Sequence, residues 1–195
     1  MTLPTTTTRL ATASELEAVA ALCTAAFADE AVMAWVLPDP DTRIQQMHSM
    51  FGSSLGGAAD AGALMLAVAD GERIGASIWL PRTGRPQPME LPTGSDPASL
   101  RLRAVQKATD TRCPERAHLY LQSMAVLPEH RGRGAGSMML TYGLAQAKER
   151  GLPVYLEAST RDNRTLYARH GFRDHGEPIH LLDDGPSLQP MWLDI

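Results

Sequence analysis

The chain has 195 residues, 44% of them apolar and 21% charged, with a formal net charge of -4. That length suits one domain with a sizeable core, spanning 1–195. The mild acidity argues against nucleic acid as a partner, and no apolar run is long enough to cross a bilayer. The first residues lack the basic-then-apolar pattern of a secretory signal. Cys23 and Cys113 lie far apart outside any paired motif, so they read as free thiols of a cytoplasmic protein. The six histidines show no ligand spacing, which gives no metal site.

Residues 1–8 are Thr-rich and read as a flexible tail. Arg9-Leu10-Ala11 reads as a first strand. Ser14 is placed to cap a helix running to about Phe27, with Glu15 and Glu17 in its first turn and Leu16, Val19, Ala20 and Cys23 on one face. Residues 41–54 carry a second helical pattern, with Ile44, Met47, His48 and Phe51 near one face. The Gly- and Ala-rich stretch 56–62 reads as a loop. Residues 64–69 and 74–80 are strands joined by the hairpin signal Asp70-Gly71-Glu72. Residues 81–97 are rich in proline and glycine and break the pattern; 98–110 regain helical character. His118 opens an apolar strand ending near Val126. A helix over 138–150 closes at Gly151-Leu152-Pro153 by the Gly-then-Pro rule. Residues 154–158 are the next strand, a short helix carries Leu166 and Tyr167 and ends at Gly171, and Met191-Trp192-Leu193 reads as a last strand.

Between the strand 118–126 and the helix after it lies Pro128-Glu129-His130-Arg131-Gly132-Arg133-Gly134-Ala135-Gly136-Ser137. A strand, a Gly-rich turn and a helix start make an anion site, because the first amides of a helix lack internal partners and carry the positive end of its dipole. Glycine lets the backbone approach a phosphate, and Arg131 and Arg133 add charge. The loop is not a P-loop, for it has no lysine followed by Ser or Thr. Nor is it a dinucleotide loop, since Gly132, Gly134 and Gly136 alternate in the wrong order.

Arg131-x-x-Gly134-x-Gly136, after Ala125-Val126-x-Pro128, resembles the acetyl-CoA signature of the GNAT superfamily of acyltransferases. Leu166-Tyr167 followed by Gly171-Phe172 is similar to a second signature of that superfamily, in the expected order with one strand between. The resemblance covers about 119–172 well and the N-terminal half loosely. It implies an α/β (α+β) fold, a mixed twisted sheet with helices on both faces, and coenzyme A as cofactor, with acetyl-CoA the acyl donor. It implies that the central strand splays from its successor, with backbone contacts from Met124, Ala125 and Val126 and a pyrophosphate cradle at 131–137. Tyr167 would be the general acid, as its ordinary pKa of about 10 is near that of a thiol.

The base stays open between Glu157, which is preferred, His118, and no dedicated base at all; the strand position where some members carry a glutamate is Tyr120. Asn163 either touches the pantetheine arm or caps the short helix, since many members place Asn where this chain has Thr160. The segment after the first helix often walls the acceptor pocket in the superfamily. That makes Phe27, Met33 and Trp35 candidate lining residues, and Asp29 or Glu30 a candidate partner of an amine, each against the alternative of ordinary packing.

Arg9-Leu10-Ala11, 26–29, Leu156-Glu157-Ala158-Ser159, Asn163 and Tyr167 together are similar to puromycin N-acetyltransferase-like members. The resemblance implies acetyl transfer to a primary amine of a small molecule by direct attack, without an acyl-enzyme, and a homodimer. Two rivals are acetylation of a protein N-terminus or lysine, and a non-catalytic acyl-CoA-binding module.

Overall fold

A computed structural model describes residues 6–84 and 93–195 of the chain. Strand β1 (Thr6–Leu10) leads to helices α1 (Leu16–Phe27), α2 (Ala31–Val36) and α3 (Pro40–Asp60). The hairpin β2 (Leu64–Ala69) and β3 (Glu72–Arg82) follows, then α4 (Pro97–Asp110) and β4 (His118–Val126). The second half alternates α5 (Ala135–Arg150), β5 (Val154–Ala158) and α6 (Arg161–Arg169), and ends with β6 (Arg173–Asp174), β7 (Ile179–His180) and β8 (Ser187–Leu193). The sheet order is β1-β2-β3-β4-β5-β8-β6, with β7 paired to β8. Among the described residues only β4 and β5 run parallel; the other pairs are antiparallel, so the sheet is mixed.

Both faces of the sheet are covered, which is why Leu64, Met65, Leu66 and Ala67 form an unbroken buried run instead of alternating. Met65 faces a core shared by Leu121, Leu156, Leu140 of α5 and Tyr167 of α6. Leu64 and Leu66 face the opposite side, against Val19 and Ala20 of α1 and Leu55 of α3. A further core joins Val32 and Val36 of α2, Met47 of α3, Ile179 and Leu188, with Leu102 and Val105 of α4 packed on it.

Asp70 and Gly71 have φ of 50° and 85° and join Ala69 to Glu72 in a two-residue hairpin turn. On the other edge of β3, Ile78 faces Ser123 and Trp79 faces Leu121, so Gln122 is an extra residue on β4. This bulge switches the strand's facing. Leu121 belongs to the α5 side, while Ala125 packs with α1 and α3.

Several expectations are corrected. Residues 6–8, assigned to the tail, are strand, because Thr6, Thr7 and Thr8 pair with Ala69, Val68 and Ala67; residues 1–5 lie outside the described residues. A 3-10 turn, Ala13–Glu15, leads into α1 and is opened by Thr12, not Ser14: Glu15 accepts from the Thr12 N–H at 3.0 Å and from its hydroxyl at 2.9 Å. The expected loop over 56–62 is mostly helix, since α3 runs to Asp60; burial of Leu55 and Ala58 outweighs the glycines' poor propensity. Ile44 is 50% exposed, not on the buried face. Within 81–97, Pro81 and Arg82 extend β3, and 85–92 lie outside the described residues. Strands β6 and β7 had no signal, being two residues each.

Candidate active site

Strands β4 and β5 share only two register pairs, Leu119 with Val154 and Tyr120 with Tyr155. Beyond them β4 stays on β3 as far as Val126, and β5 stays on β8 as far as Ala158. The two parallel strands therefore part at their C-terminal ends and leave a wedge-shaped gap. Met124, Ala125 and Val126 form its β4 lip. Backbone groups on such a lip need partners from outside the ladder.

Helix α5 starts just past that lip, three residues earlier than its sequence pattern indicates. Gly134 is its cap residue, at φ 90°, and no side chain bonds the cap. The first bond from the cap is the Met138 N–H donating to the Gly134 carbonyl at 3.0 Å. The amides of Ala135, Gly136 and Ser137 are thus the orphan first-turn donors of a sixteen-residue helix. Gly132 and Gly134 both need positive φ, at 71° and 90°. Gly136 packs closely: a Cβ there would sit 3.3 Å from Leu166 Cδ2 and 3.6 Å from Met124 Cε. The cradle, the lip of the gap and helix α6 therefore meet at one point.

The two loop arginines behave differently. The Arg131 Nη2 donates to the Ala26 carbonyl at 2.6 Å and its Nε to the Val126 carbonyl at 3.2 Å. Its guanidinium thus staples the end of α1 to the end of β4, and its backbone N–H is taken by Pro128. The charge expected from Arg131 in the cradle is committed to these carbonyls, while Arg133 stays exposed.

Tyr167 lies one residue past Leu166 on α6, 6% exposed. Its ring packs 5.9 Å from that of Phe172, and no described residue holds its hydroxyl. Burial raises its pKa, so the phenol keeps its proton. Helix α6 is capped by Thr160, whose hydroxyl accepts from the Asn163 N–H at 3.1 Å. The capping role considered for Asn163 thus belongs to Thr160, and the Asn163 side chain is left over.

On the opposite face of the sheet, α4 closes a small cleft lined by Arg82, Asp110, Cys113, Tyr120, Tyr155 and Glu157, among others. The Tyr120 hydroxyl donates to Glu157 Oε2 at 2.8 Å. Burial pushes the Glu157 pKa up to about 7, against a lowering by the Tyr120 hydrogen bond. The Tyr155 hydroxyl is buried and meets no partner with hydrogen-bond geometry, although Glu157 is near enough to act on it electrostatically. Arg82 lies over the Tyr120 ring, 5.5 Å from its centroid. Gln106 holds Asp110 at 2.6 Å.

His118, the other candidate base, is fully buried and does not line this cleft. Its Nδ1 is 2.7 Å from the Arg116 carbonyl, its ring abuts Tyr155 and Trp192, and burial lowers its pKa. Nor do Phe27, Met33, Asp29, Glu30 and Trp35 line it. Glu30 caps α2, accepting from the Val32 and Met33 N–H groups at 2.9 and 3.0 Å. Trp35 lies under Arg101 at 5.2 Å, and Phe27 stacks on Phe51 at 5.8 Å. These residues build the α2 wall and its packing.

Sequence reasoning passed over Arg82 and the α4 residues and noted Tyr120 only for the glutamate it replaces. The available signal was alternation: Tyr120 and Glu157 are polar groups standing opposite to Leu119, Leu121 and Leu156 on strands otherwise apolar.

Residues 100–174 match the acetyltransferase (GNAT) domain family. The structure is similar to that of a histone acetyltransferase HPA2 and related acetyltransferase from Corynebacterium glutamicum, with 26% identity, 98% of this chain and 96% of that one covered, and a TM-score of 0.71. It is also similar to Drosophila melanogaster polyamine N-acetyltransferase, an enzyme that forms N-acetylagmatine (18% identity, 98% and 100% covered, TM-score 0.70). Arylalkylamine N-acetyltransferase 2 from Aedes aegypti matches at 15% identity, with 97% and 99% covered and a TM-score of 0.76. The fold is the GNAT acetyltransferase fold.

Proposed function

We propose that this chain, with its GNAT acetyltransferase domain, moves an acetyl group from acetyl-CoA to a primary amine of a small molecule by direct attack. The observation that carries the reading is the meeting of three features at Gly136: orphan amides of α5, the gap between β4 and β5, and the helix that carries Tyr167. The amides of 135–137 suit a diphosphate, because several donors converge without a competing side chain. The lip 124–126 suits an amide-bearing arm laid alongside it as an extra strand. Asn163 in the first turn of α6 and the exposed Arg133 in the loop before α5 are the candidate side-chain contacts.

The bound cofactor supplies a thioester carbonyl as electrophile. Glu157 takes the ammonium proton, directly or through a water, so that the neutral amine can attack; a carboxyl group with a pKa of about 7 is matched to that task. The N–C bond would form in place of the C–S bond. Tyr167, kept protonated by burial, would give its proton to the departing sulfur, and the second proton that the nitrogen sheds on becoming an amide would return Tyr167 to its neutral form through solvent. Neither cysteine takes part: Cys23 is buried in the α1 core with its thiol pKa pushed up to about 12. Cys113 lines the cleft, but burial raises its pKa too, which disfavours a nucleophilic thiolate.

The small cleft beside Glu157 favours a small acceptor over a protein chain. The sequence likeness to puromycin N-acetyltransferase-like members and the acceptors named for the Drosophila and mosquito enzymes support an amine in general. Thiol release from acetyl-CoA across an amine panel is the test; no release with any amine, while acetyl-CoA binds, returns the chain to the role of a cofactor-binding module.

A further inference from the structure

The cleft beside Glu157 carries a guanidinium that the proposed chemistry does not use. Arg82, at the end of β3, faces His118 in the ladder register and lies diagonally across from Tyr120, over whose ring it stacks at 5.5 Å. It lines the same cleft as Glu157 and Asp110, yet no carboxylate among the described residues comes within ion-pair distance of it. Glu157 is occupied by Tyr120 and Asp110 by Gln106. Glu157 acts on Arg82 only across the cleft, and a half-buried guanidinium with no carboxylate among the described residues in direct contact is a fork of donors shaped for one.

Glu157 and Asp110 outnumber Arg82 in the cleft, and Arg82 is the one positive point among its described lining residues. A purely cationic acceptor, such as a polyamine, would bring further positive charge towards Arg82. An acceptor with an amine at one end and a carboxylate at the other satisfies both groups: the ammonium faces Glu157 and the carboxylate faces Arg82. We propose that the acceptor is an amino acid or a close analogue, its carboxylate bound by Arg82 and its amine presented to Glu157. This rests on the acetyl-transfer reading above and narrows its acceptor.

Initial rates with acetyl-CoA and matched acceptor pairs test it, tyrosine against tyramine and arginine against agmatine. The carboxylate-bearing member of each pair is expected to be preferred. Arg82→Gln should lower its kcat/KM by roughly 10- to 100-fold, the range for losing a charged hydrogen-bonded contact. The same variant should lower the decarboxylated amine less, so that the preference within each pair falls by about tenfold or more; the loss of the guanidinium beside Tyr120 and Glu157 acts on both members alike and cancels in that ratio. Arg82→Lys, which keeps the charge but not the fork, should fall between them. Preference for tyramine and agmatine, or a tyrosine preference unmoved by Arg82→Gln, overturns the acceptor assignment and leaves amine acetylation standing. A second arm compares succinyl-CoA with acetyl-CoA on tyramine; an Arg82-dependent preference for succinyl-CoA would put the carboxylate on the acyl group instead, and also overturns it. Absence of thiol release with every pair defeats the acetyl-transfer reading, and the acceptor assignment falls with it.

Discussion

The Tyr120 hydroxyl reaches across to Glu157 at 2.8 Å, from the last residue of β4 that is still in register with β5. The contact therefore spans the gap where it begins. Its hydrogen bond favours the ionised carboxylate, while burial favours the neutral one, and the balance sets the pKa at about 7. Below that value Glu157 is protonated and cannot take the amine proton, so kcat/KM should rise with pH through a limb near 7. Tyr120→Phe removes the lowering contact, and the limb should move to higher pH. Glu157→Gln should abolish the limb and lower the rate by about 100-fold, a usual loss for a general base. A pH-rate profile of the three proteins checks this; a limb unchanged in Glu157→Gln rejects the role.

Tyr167 is buried with a hydroxyl that no described residue holds. Tyr167→Phe keeps the ring packing against Phe172 and loses only the proton donor. The expected result is a kcat lower by about 100-fold or more, with acetyl-CoA affinity changed little. Steady-state rates together with calorimetry separate the two effects. Equal kcat in the variant would leave Tyr167 a packing residue.

At Gly134 the structure predicts a split between folding and binding. Asp is tolerated at a helix cap and partly at positive φ, so Gly134→Asp should retain the fold. Its carboxylate beside the α5 amides should repel a diphosphate, weakening acetyl-CoA binding by about tenfold or more, a loss of ~1.4 kcal/mol. Circular dichroism checks the first half and calorimetry the second. Undiminished binding would move the diphosphate away from α5.

Gly143 marks a packing constraint unrelated to chemistry. A Cβ there would overlap the indole of Trp79, which is 4% exposed and tied through Nε1 to Ser77 Oγ at 3.0 Å. Gly143→Ala should therefore destabilise the protein by about 1–3 kcal/mol despite alanine's better helix propensity. Thermal unfolding reads this as a fall in Tm of roughly 2–4 °C per kcal/mol for a chain of this size. A raised Tm would mean that the indole has room to move.

What the sequence made legible was local. The turn at Asp70-Gly71, the strand bounds at Leu64–Ala69, His118–Val126 and Val154–Ala158, and the stop at Gly151 all follow from nearby residue chemistry. The Gly-rich loop and the tyrosine helix were readable as a pair of motifs. Less legible were features decided by distant partners. The helix through Gly56 and Gly57 exists because Leu55 and Ala58 find a core. The guanidinium of Arg131 is directed by a carbonyl 105 positions away, which no loop pattern encodes. Glu30 and Trp35 read as binding residues by type; what no local pattern encodes is that the first caps α2 and the second lies under Arg101. Arg82 escaped notice because it stands where a strand meets a Pro- and Gly-rich stretch, and its neighbours in the cleft come from α4.

Two rungs of pairing are all that join β4 to β5, so the sheet is two panels hinged along one short edge. An extended molecule lying in the opening would serve as a removable strand, bonding to β4 from outside the chain. Part of the protein's stiffness would then be on loan from a ligand that leaves at every turnover. Amides along 124–126 are expected to exchange with solvent more slowly while it stays and to recover their speed when it departs.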